Sequence, residues 1–551
     1  MKNLTNIFII LSLVVIGFII RILFLDKPDG LWNDEYIGWW IASTDFGKEL
    51  FKKIFSNCHM PLYYFYLKGW MNLFGDSDLS LRLSSVIIGT SCIISSFFLG
   101  KTYKNISCGL ICATFTTLSS FAIYFSQEVR PYSLIFLIST ILAIFFTKTL
   151  RNPNKINFSL YILFNFLLLI THTISFVYVF FNLLIFSILL LKNNPEYRTK
   201  IYSTYVILTI LFLPLLPFLF DVLTRETLSQ NWGEFTISKI IFCLIDYFTP
   251  ILTNITNSPL NLITFFKTNN IFNSLIFILI PSIISIYFLI KGLKNKSKEL
   301  IALTICTILY FIVLIVASIM GKLILSTKYS IEIFPTLILL FSVGATTSTS
   351  KFNKFLAIIY FTICLIFLTT TQAPQFQTRA EGHKTPAKLL VQANLSKDDY
   401  IISLYHQLFR YEKYLPLVPQ NVINIDKNTI GQYLVDKNYN SASLAIDGKE
   451  KLKNAFLGKE EQNITQNFNT IFKSIPSRQK IHIIVPAQVA FFSSNDLKRI
   501  ANDKKEYDRT QIIFLAFSYA KIKLINSASN YCNFISIQEK APWYVITFIK
   551  K

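Results

Sequence analysis

Two adjacent carboxylates, Asp34 and Glu35, follow the first long apolar run by a few residues, between Trp32 and Tyr36. A carboxylate against apolar walls gains proton affinity and can serve as a general base, which typically adds about 10²–10⁴-fold to a rate. The plainer reading is that Asn33 or Asp34 only caps a short helix. His59, before Met60-Pro61-Leu62-Tyr63, can donate to a phosphate, bind a metal or merely precede a proline-started helix. In Glu128-Val129-Arg130-Pro131-Tyr132 a cation stands directly before an apolar run. A charge costs about 3 kcal/mol at mid-membrane, so Arg130 must snorkel, pair or meet a ligand. Glu128 can neutralise it. His172 interrupts an apolar stretch, as a packed, hydrogen-bonded residue or as a ligand. Lys328, before Tyr329, stands at a helix start, where the macrodipole disfavours a cation; an anionic ligand and interfacial snorkelling both account for it. Asp76-Ser77-Asp78 has the form of a DxD metal motif, but Asp78 reads better as a helix cap, and Arg82 can pair with either acid.

The elements that must position these residues are hydrophobic. The chain has 551 residues, of which 52% are hydrophobic and 15% charged. That composition belongs to a polytopic membrane protein. A bilayer crossing needs about 20 apolar residues. About eleven runs qualify, near Ile7–Leu25, Leu81–Leu99, Ile106–Phe125, Pro131–Thr149, Phe158–Thr171, Thr173–Leu191, Ile201–Phe220, Ile271–Ile290, Leu300–Met320, Ser330–Val343 and Phe355–Thr371. The first lacks a small-x-small cleavage site and reads as a retained helix. Numbering the run ends alternately separates short Lys-rich loops (101–104, 148–155, 192–200, 291–298 and 351–354) from loops of mixed sign. The positive-inside rule then puts the N-terminus in the cytoplasm and all seven candidates, Asp34, Glu35, His59, Glu128, Arg130, His172 and Lys328, on the opposite face. The formal charge of +22 sits largely in the short loops, which fits contact with anionic lipid and not with nucleic acid.

Two outer loops are long. Residues 26–80 read as short amphipathic helices with interfacial Trp and Tyr, and 237–248 as a surface-lying helix. The expected division is a membrane domain, 1–371, and a small extracytoplasmic α/β domain, 372–551. In the latter, 481–485 and 543–547 read as strands and 388–393 and 494–505 as helices. A Cys58–Cys532 disulfide is open, with no spacing to support it. No Walker loop, GxGxxG, HExxH or GxSxG is present, so no nucleotide cofactor and no hydrolase of those types is expected.

Several strings resemble one family. Asp34-Glu35, then His59-Met60-Pro61-Leu62-Tyr63, Phe74-Gly75 with Leu81-Arg82-Leu83, and Gln127-Glu128-Val129-Arg130-Pro131-Tyr132 are similar to the bacterial protein O-mannosyltransferase-like glycosyltransferases of the GT-C superfamily. The lipid A aminoarabinose transferase shares that plan. The likeness covers about Ile7–Leu191, weakens at Lys328-Tyr329, where relatives usually carry Arg-Tyr, and is absent after Thr371. It implies many transmembrane helices, an outer-face site, a polyprenyl-monophosphate sugar donor and an envelope glycolipid, glycan or protein acceptor. It implies Asp34 as the catalytic acid position, with Glu35 beside it, and His59, Arg130, Lys328 and Tyr329 near the donor phosphate. Glu128, His172 and Arg82 support the site. Glu35 and His172 are the candidates for a divalent metal, which relatives use variably.

Two other classes compete. A transporter or lipid flippase would bind its cargo near the bilayer midplane, usually on repeats; here the ionisable residues lie at run ends and no repeat is visible. A sensory protein would depend on its outer domain and not on Asp34. The Lys-, Asn- and Ile-rich composition suggests an AT-rich genome and a bacterial inner membrane.

Overall fold

The computed structural model describes residues 2–26, 29–57, 59–218, 220, 237–252, 275–320, 325–348, 350–370, 384–403, 412–415, 421–424, 459–486, 522–540 and 543–551. The chain divides into two compact units, one of residues 1–27 and 34–379, the other of residues 28–33 and 380–551. The short segment 29–33 thus groups with the C-terminal unit.

The first unit begins with α1 (Lys2–Ile22), followed by three short helices, α2 (Asn33–Ala42), α3 (Lys48–Ser56) and α4 (Pro61–Phe74). Then come α5 (Asp78–Tyr103), α6 (Ile106–Leu118), α7 (Ser120–Ser126), α8 (Tyr132–Arg151), α9 (Lys155–Leu169), α10 (Ser175–Asn193) and α11 (Arg198–Phe212). The unit closes with α12 (Ile237–Asp246), α13 (Ile280–Leu293), α14 (Lys298–Ile319), α15 (Phe334–Thr346) and α16 (Lys351–Thr370). Among the described residues nine helical segments are long and apolar enough to cross a bilayer, and the α6–α7 pair, bent by 60°, makes a possible tenth. With the shorter apolar α9, each of the eleven expected runs contains a helix among its described residues. Polar side chains at the loop ends start several of these helices: Ser77, Asn105, Asn154 and Ser297 each accept from a backbone N–H of the first turn. Ser77, not Asp78, therefore caps α5.

One expected span is not straight. The 106–125 run breaks at Ser119, whose extended backbone and side-chain cap on Ala122 N start α7 afresh. In lipid, carbonyls freed at such a break need partners. Arg21, fully buried at the end of α1, donates to the Thr116 carbonyl at 2.8 Å and to Ser126 Oγ at 3.1 Å. Gln127 in turn donates to the carbonyls of Arg21 and Leu23, at 2.8 and 2.9 Å. The last residues of α1 and the α7–α8 connection are thereby locked together. Elsewhere backbones meet closely. A Cβ on Gly344 would collide with the Phe288 carbonyl, and one on Gly292 with that of Leu340, so α13 and α15 pack through small residues.

The helix expected to lie on the surface, α12, buries Phe242, Cys243 and Asp246 and leaves Ile237, Ile241 and Leu244 exposed. Asp246 Oδ2 accepts from Thr327 Oγ1 at 3.0 Å. That contact holds the 3₁₀ segment Thr327–Ile333, which leads into α15.

The second unit carries a five-stranded sheet of order β2-β1-β3-β5-β4, built from Tyr400–Ser403 (β1), Asn421–Asn424 (β2), Lys480–Pro486 (β3), Cys532–Lys540 (β4) and Trp543–Lys550 (β5). β1 pairs in parallel with β2 and β3, whereas β5 runs antiparallel to β3 and β4. The helix Lys384–Gln392 packs Leu389 and Leu390 with Ile401, Ile484 and Val545. Buried His482 joins Asp399 Oδ2 and Thr547 Oγ1, each at 3.0 Å, tying β3 to β5 and to the turn before β1. Within this unit Asp29 pairs with Lys388 at 2.7 Å, and Leu31 N donates to the Tyr414 hydroxyl at 2.7 Å. The expected helix at 494–505 lies outside the described residues, as does Cys58; Cys532 is a free, buried thiol.

Candidate active site

Asp34 and Glu35 occupy the first turn of α2, where the helix dipole favours negative charge. Adjacent residues on a helix point about 100° apart, and here the two acids part company. Glu35 is fully buried, and Arg82 closes on it as a fork, with Nη2 at 2.7 Å and Nε at 3.0 Å. The Val129 N–H adds a third donor at 3.2 Å, and Arg82 Nη1 donates to the Leu25 carbonyl at 3.0 Å. This buried, bidentate pair ties the ends of α1, α2 and α5 to the 127–131 connection. The sequence pointed Glu35 toward catalysis and Arg82 toward Asp76 or Asp78. In the structure the two pair with each other. Asp76 accepts from Trp39 Nε1 at 2.8 Å.

Asp34 stays partly open, its side chain 17% exposed, with Lys328 Nζ 3.9 Å away. Arg130 Nη1 lies 3.4 Å from the Asp34 carbonyl and 3.5 Å from His59 Nε2. Lys328 Nζ sits over the Tyr329 ring at 5.0 Å, and that ring stacks on His172 at 5.8 Å. The guanidinium of Arg130 faces the Tyr132 ring at 6.0 Å, and His59 packs on Tyr64 at 5.5 Å. Four loops thus bring Asp34, His59, Arg130, His172, Lys328 and Tyr329 together, and Glu128 is buried close by. Two short links fix the loops: Leu62 N donates to the Ile170 carbonyl at 3.0 Å, and His59 N to that of Ile54 at 3.1 Å.

The cluster is rich in polar atoms that lack a hydrogen-bond partner among the described residues. Buried Arg130 Nε, Tyr64 Oη, Tyr132 Oη and His172 Nδ1 all stand so. Buried polar atoms are ordinarily satisfied, so a group of orphans around one opening marks a place where a polar ligand completes the bonding. Burial, then the charges of Arg130 and Lys328, push the His172 imidazole down to about 3. Burial followed by Arg130, His172 and Lys328 holds His59 well below its ordinary value. Both rings are neutral at pH 7, so the positive charge resides on Arg130 and Lys328. The arrangement can receive an anion on two cations and several neutral donors, next to one carboxylate. Tyr64 and Tyr132 were not singled out beforehand, although both sit inside strings that were.

Among the described residues no three His, Cys, Asp or Glu side chains gather as a metal site requires. Of the two candidates, Glu35 is committed to Arg82 and Val129.

No protein-family model matches the chain, and no curated protein matches its sequence. Solved structures do. ArnT from Cupriavidus metallidurans in the apo state superposes with a TM-score of 0.54 at 10% identity, over 99% of this chain and 98% of that one. The same protein bound to undecaprenyl phosphate gives 0.51 at 11% identity, over 98% and 97%. A weaker likeness, TM-score 0.49 at 9% identity, reaches the Archaeoglobus fulgidus oligosaccharyltransferase AglB in complex with an inhibitory peptide and a dolichol-phosphate, over 99% of this chain and 74% of that one. At such identities superposition establishes architecture alone: the chain has the mostly helical membrane fold of ArnT, with a small sheet in its C-terminal region.

Proposed function

We propose that the protein is a membrane glycosyltransferase that moves a sugar from a polyprenyl-phosphate carrier to a hydroxyl of an envelope glycolipid, glycan or protein. Its N-terminus is cytoplasmic and its site and C-terminal unit are extracytoplasmic, in a bacterial inner membrane. The observation that carries the reading is the grouping of Arg130, Lys328 and the unpartnered donors Tyr64, Tyr132 and His172 around Asp34. The ArnT fold, seen elsewhere with undecaprenyl phosphate, supports it.

In this mechanism Arg130 and Lys328 hold the phosphate, which leaves as an anion when the bond to the sugar breaks. His59 and His172 remain neutral and act as hydrogen-bonding groups. Fixed donors aimed at developing charge are the strongest lever such a site has. Asp34 takes the proton of the acceptor hydroxyl as its oxygen bonds to the anomeric carbon. Lys328 Nζ, 3.9 Å away, faces the Asp34 carboxylate. Donor binding gives Lys328 a second anion to serve and loosens its hold on Asp34.

The test is release of polyprenyl phosphate and labelled sugar transfer in membranes containing the full chain, with Asp34→Asn as the variant. Transfer by the wild type and loss of about 10²-fold or more in the variant, with an unchanged melting temperature, is the expected outcome. A folded Asp34→Asn protein that transfers normally removes Asp34 from the chemistry.

A further inference from the structure

Behind the cluster lies a buried acid that the proposed chemistry does not use. Glu332 follows Lys328 and Tyr329 in the 3₁₀ segment and is fully buried. Ser175 Oγ donates to its Oε1 at 2.6 Å. Its Oε2 lies 3.0 Å from the hydroxyl of Tyr310, itself 2.8 Å from the Tyr329 carbonyl. Among the described residues no cation pairs with Glu332. An ionised carboxylate without a cation in an apolar interior is far more costly than a neutral one.

Counting protons leads to the same state. The Tyr310 hydroxyl has one proton and stands within reach of two acceptors. A proton on Glu332 Oε2 resolves the conflict. Glu332 then donates to Tyr310 Oη, Tyr310 donates to the Tyr329 carbonyl, Ser175 donates to Oε1, and every member of the chain is satisfied. We propose that Glu332 keeps its proton at neutral pH and, as a neutral carboxylic acid, is a positioning residue for the turn that presents Lys328 and Tyr329.

Three elements meet at this carboxyl. Ser175 starts α10 and its N–H bonds the His172 carbonyl at 3.2 Å, so the His172 loop is included. Tyr310 comes from α14, and Tyr329 from the turn itself. The opposite side of the turn is held by α12 and the residue after it, through Asp246 to Thr327 at 3.0 Å and Tyr247 to the Ser330 carbonyl at 2.8 Å. A charge on Glu332 would pull the Tyr310 proton away from the Tyr329 carbonyl and release that side. The part of the proposal that concerns transfer rests on the reading of Lys328 and Tyr329 as donor-binding; the protonation state does not.

The full chain in lipid nanodiscs provides the test. Its infrared spectrum at neutral pH should hold a protonated-carboxyl C=O band that disappears in Glu332→Gln and shifts in Tyr310→Phe. Glutamine retains an acceptor and a donor toward Tyr310, so Glu332→Gln should transfer within about threefold of wild type. Glu332→Ala should lose about tenfold or more, chiefly as weaker donor affinity. Hydrogen exchange at 327–333 should quicken in Glu332→Ala and not in Glu332→Gln, which reads the turn whether or not the variants are active. Absence of the band in wild type, or a folded Glu332→Gln as defective as Glu332→Ala, overturns the proposal. A wild type that shows the band but transfers no sugar leaves Glu332 neutral and defeats the transferase reading instead.

Discussion

Removing Glu35 should damage the fold before it damages the chemistry. The Arg82–Glu35 pair lies at 2.7 Å with side-chain exposures of 1% and 0%. Cutting one partner of a buried pair leaves a charge with nothing to answer it, which costs about 3–5 kcal/mol. Glu35→Ala also strips an acceptor from the Val129 N–H, worth about a further 1 kcal/mol. At about 2 °C or less per kcal/mol for a chain of this length, the loss in melting temperature should be about 5–10 °C. Removing both charges with apolar residues of similar size, Glu35→Met with Arg82→Leu, should recover much of that loss, because nothing charged remains buried. The assay is thermal unfolding of the purified chain in detergent, with transfer measured on the fraction still folded. The reasoning fails if Glu35→Ala melts with the wild type, or if the double variant melts below both single variants. If Glu35→Gln melts like the wild type yet transfers nothing, Glu35 belongs to the chemistry after all.

Lys328→Met should weaken binding of undecaprenyl phosphate by about 10–100-fold, the worth of a charge-assisted contact, while Lys328→Arg should hold it within a few fold; titration of the lipid into nanodisc-embedded protein would measure both. His172 should make the protein acid-sensitive. Its folded value of about 3 lies below the unfolded 6.5, so between those pH values the unfolded chain binds the extra proton and stability falls as pH falls. Melting temperature against pH should therefore decline more steeply below 6.5 in wild type than in His172→Gln; parallel curves would contradict the buried, neutral ring. Gly344→Val should prevent α15 from seating against α13, seen as loss of monodisperse protein in size-exclusion chromatography, and a variant that purifies and melts like the wild type would show that the helices can separate at no cost.

The expected helices and the main ionisable positions were readable because each depends on local chemistry. Apolar runs of bilayer length have one stable form in lipid, and an ionisable residue at the end of such a run is conspicuous. His172 shows this well: a single imidazole in a long apolar stretch was enough to place the break between α9 and α10. The break at Ser119 was not legible, because it depends on a guanidinium from α1 reaching carbonyls nearly a hundred residues away. Nor was the contact of α12 with the 3₁₀ segment, which Asp246 makes to Thr327 only after the intervening chain has folded.

The sequence by itself determined that the protein spans a membrane, that its cations and acids collect at helix ends, and that strings around Asp34, His59 and Arg130 resemble GT-C glycosyltransferases. Tertiary structure alone decided what each charge does. Asp34 and Glu35 are neighbours of the same type, indistinguishable by composition or spacing. One faces Lys328 at an opening and the other is closed into Arg82, because a helix turns successive side chains toward different surroundings. Nothing in the sequence singled out Glu332, and only a fold that surrounds it with Ser175 and Tyr310, and no cation among the described residues, makes a proton its natural companion.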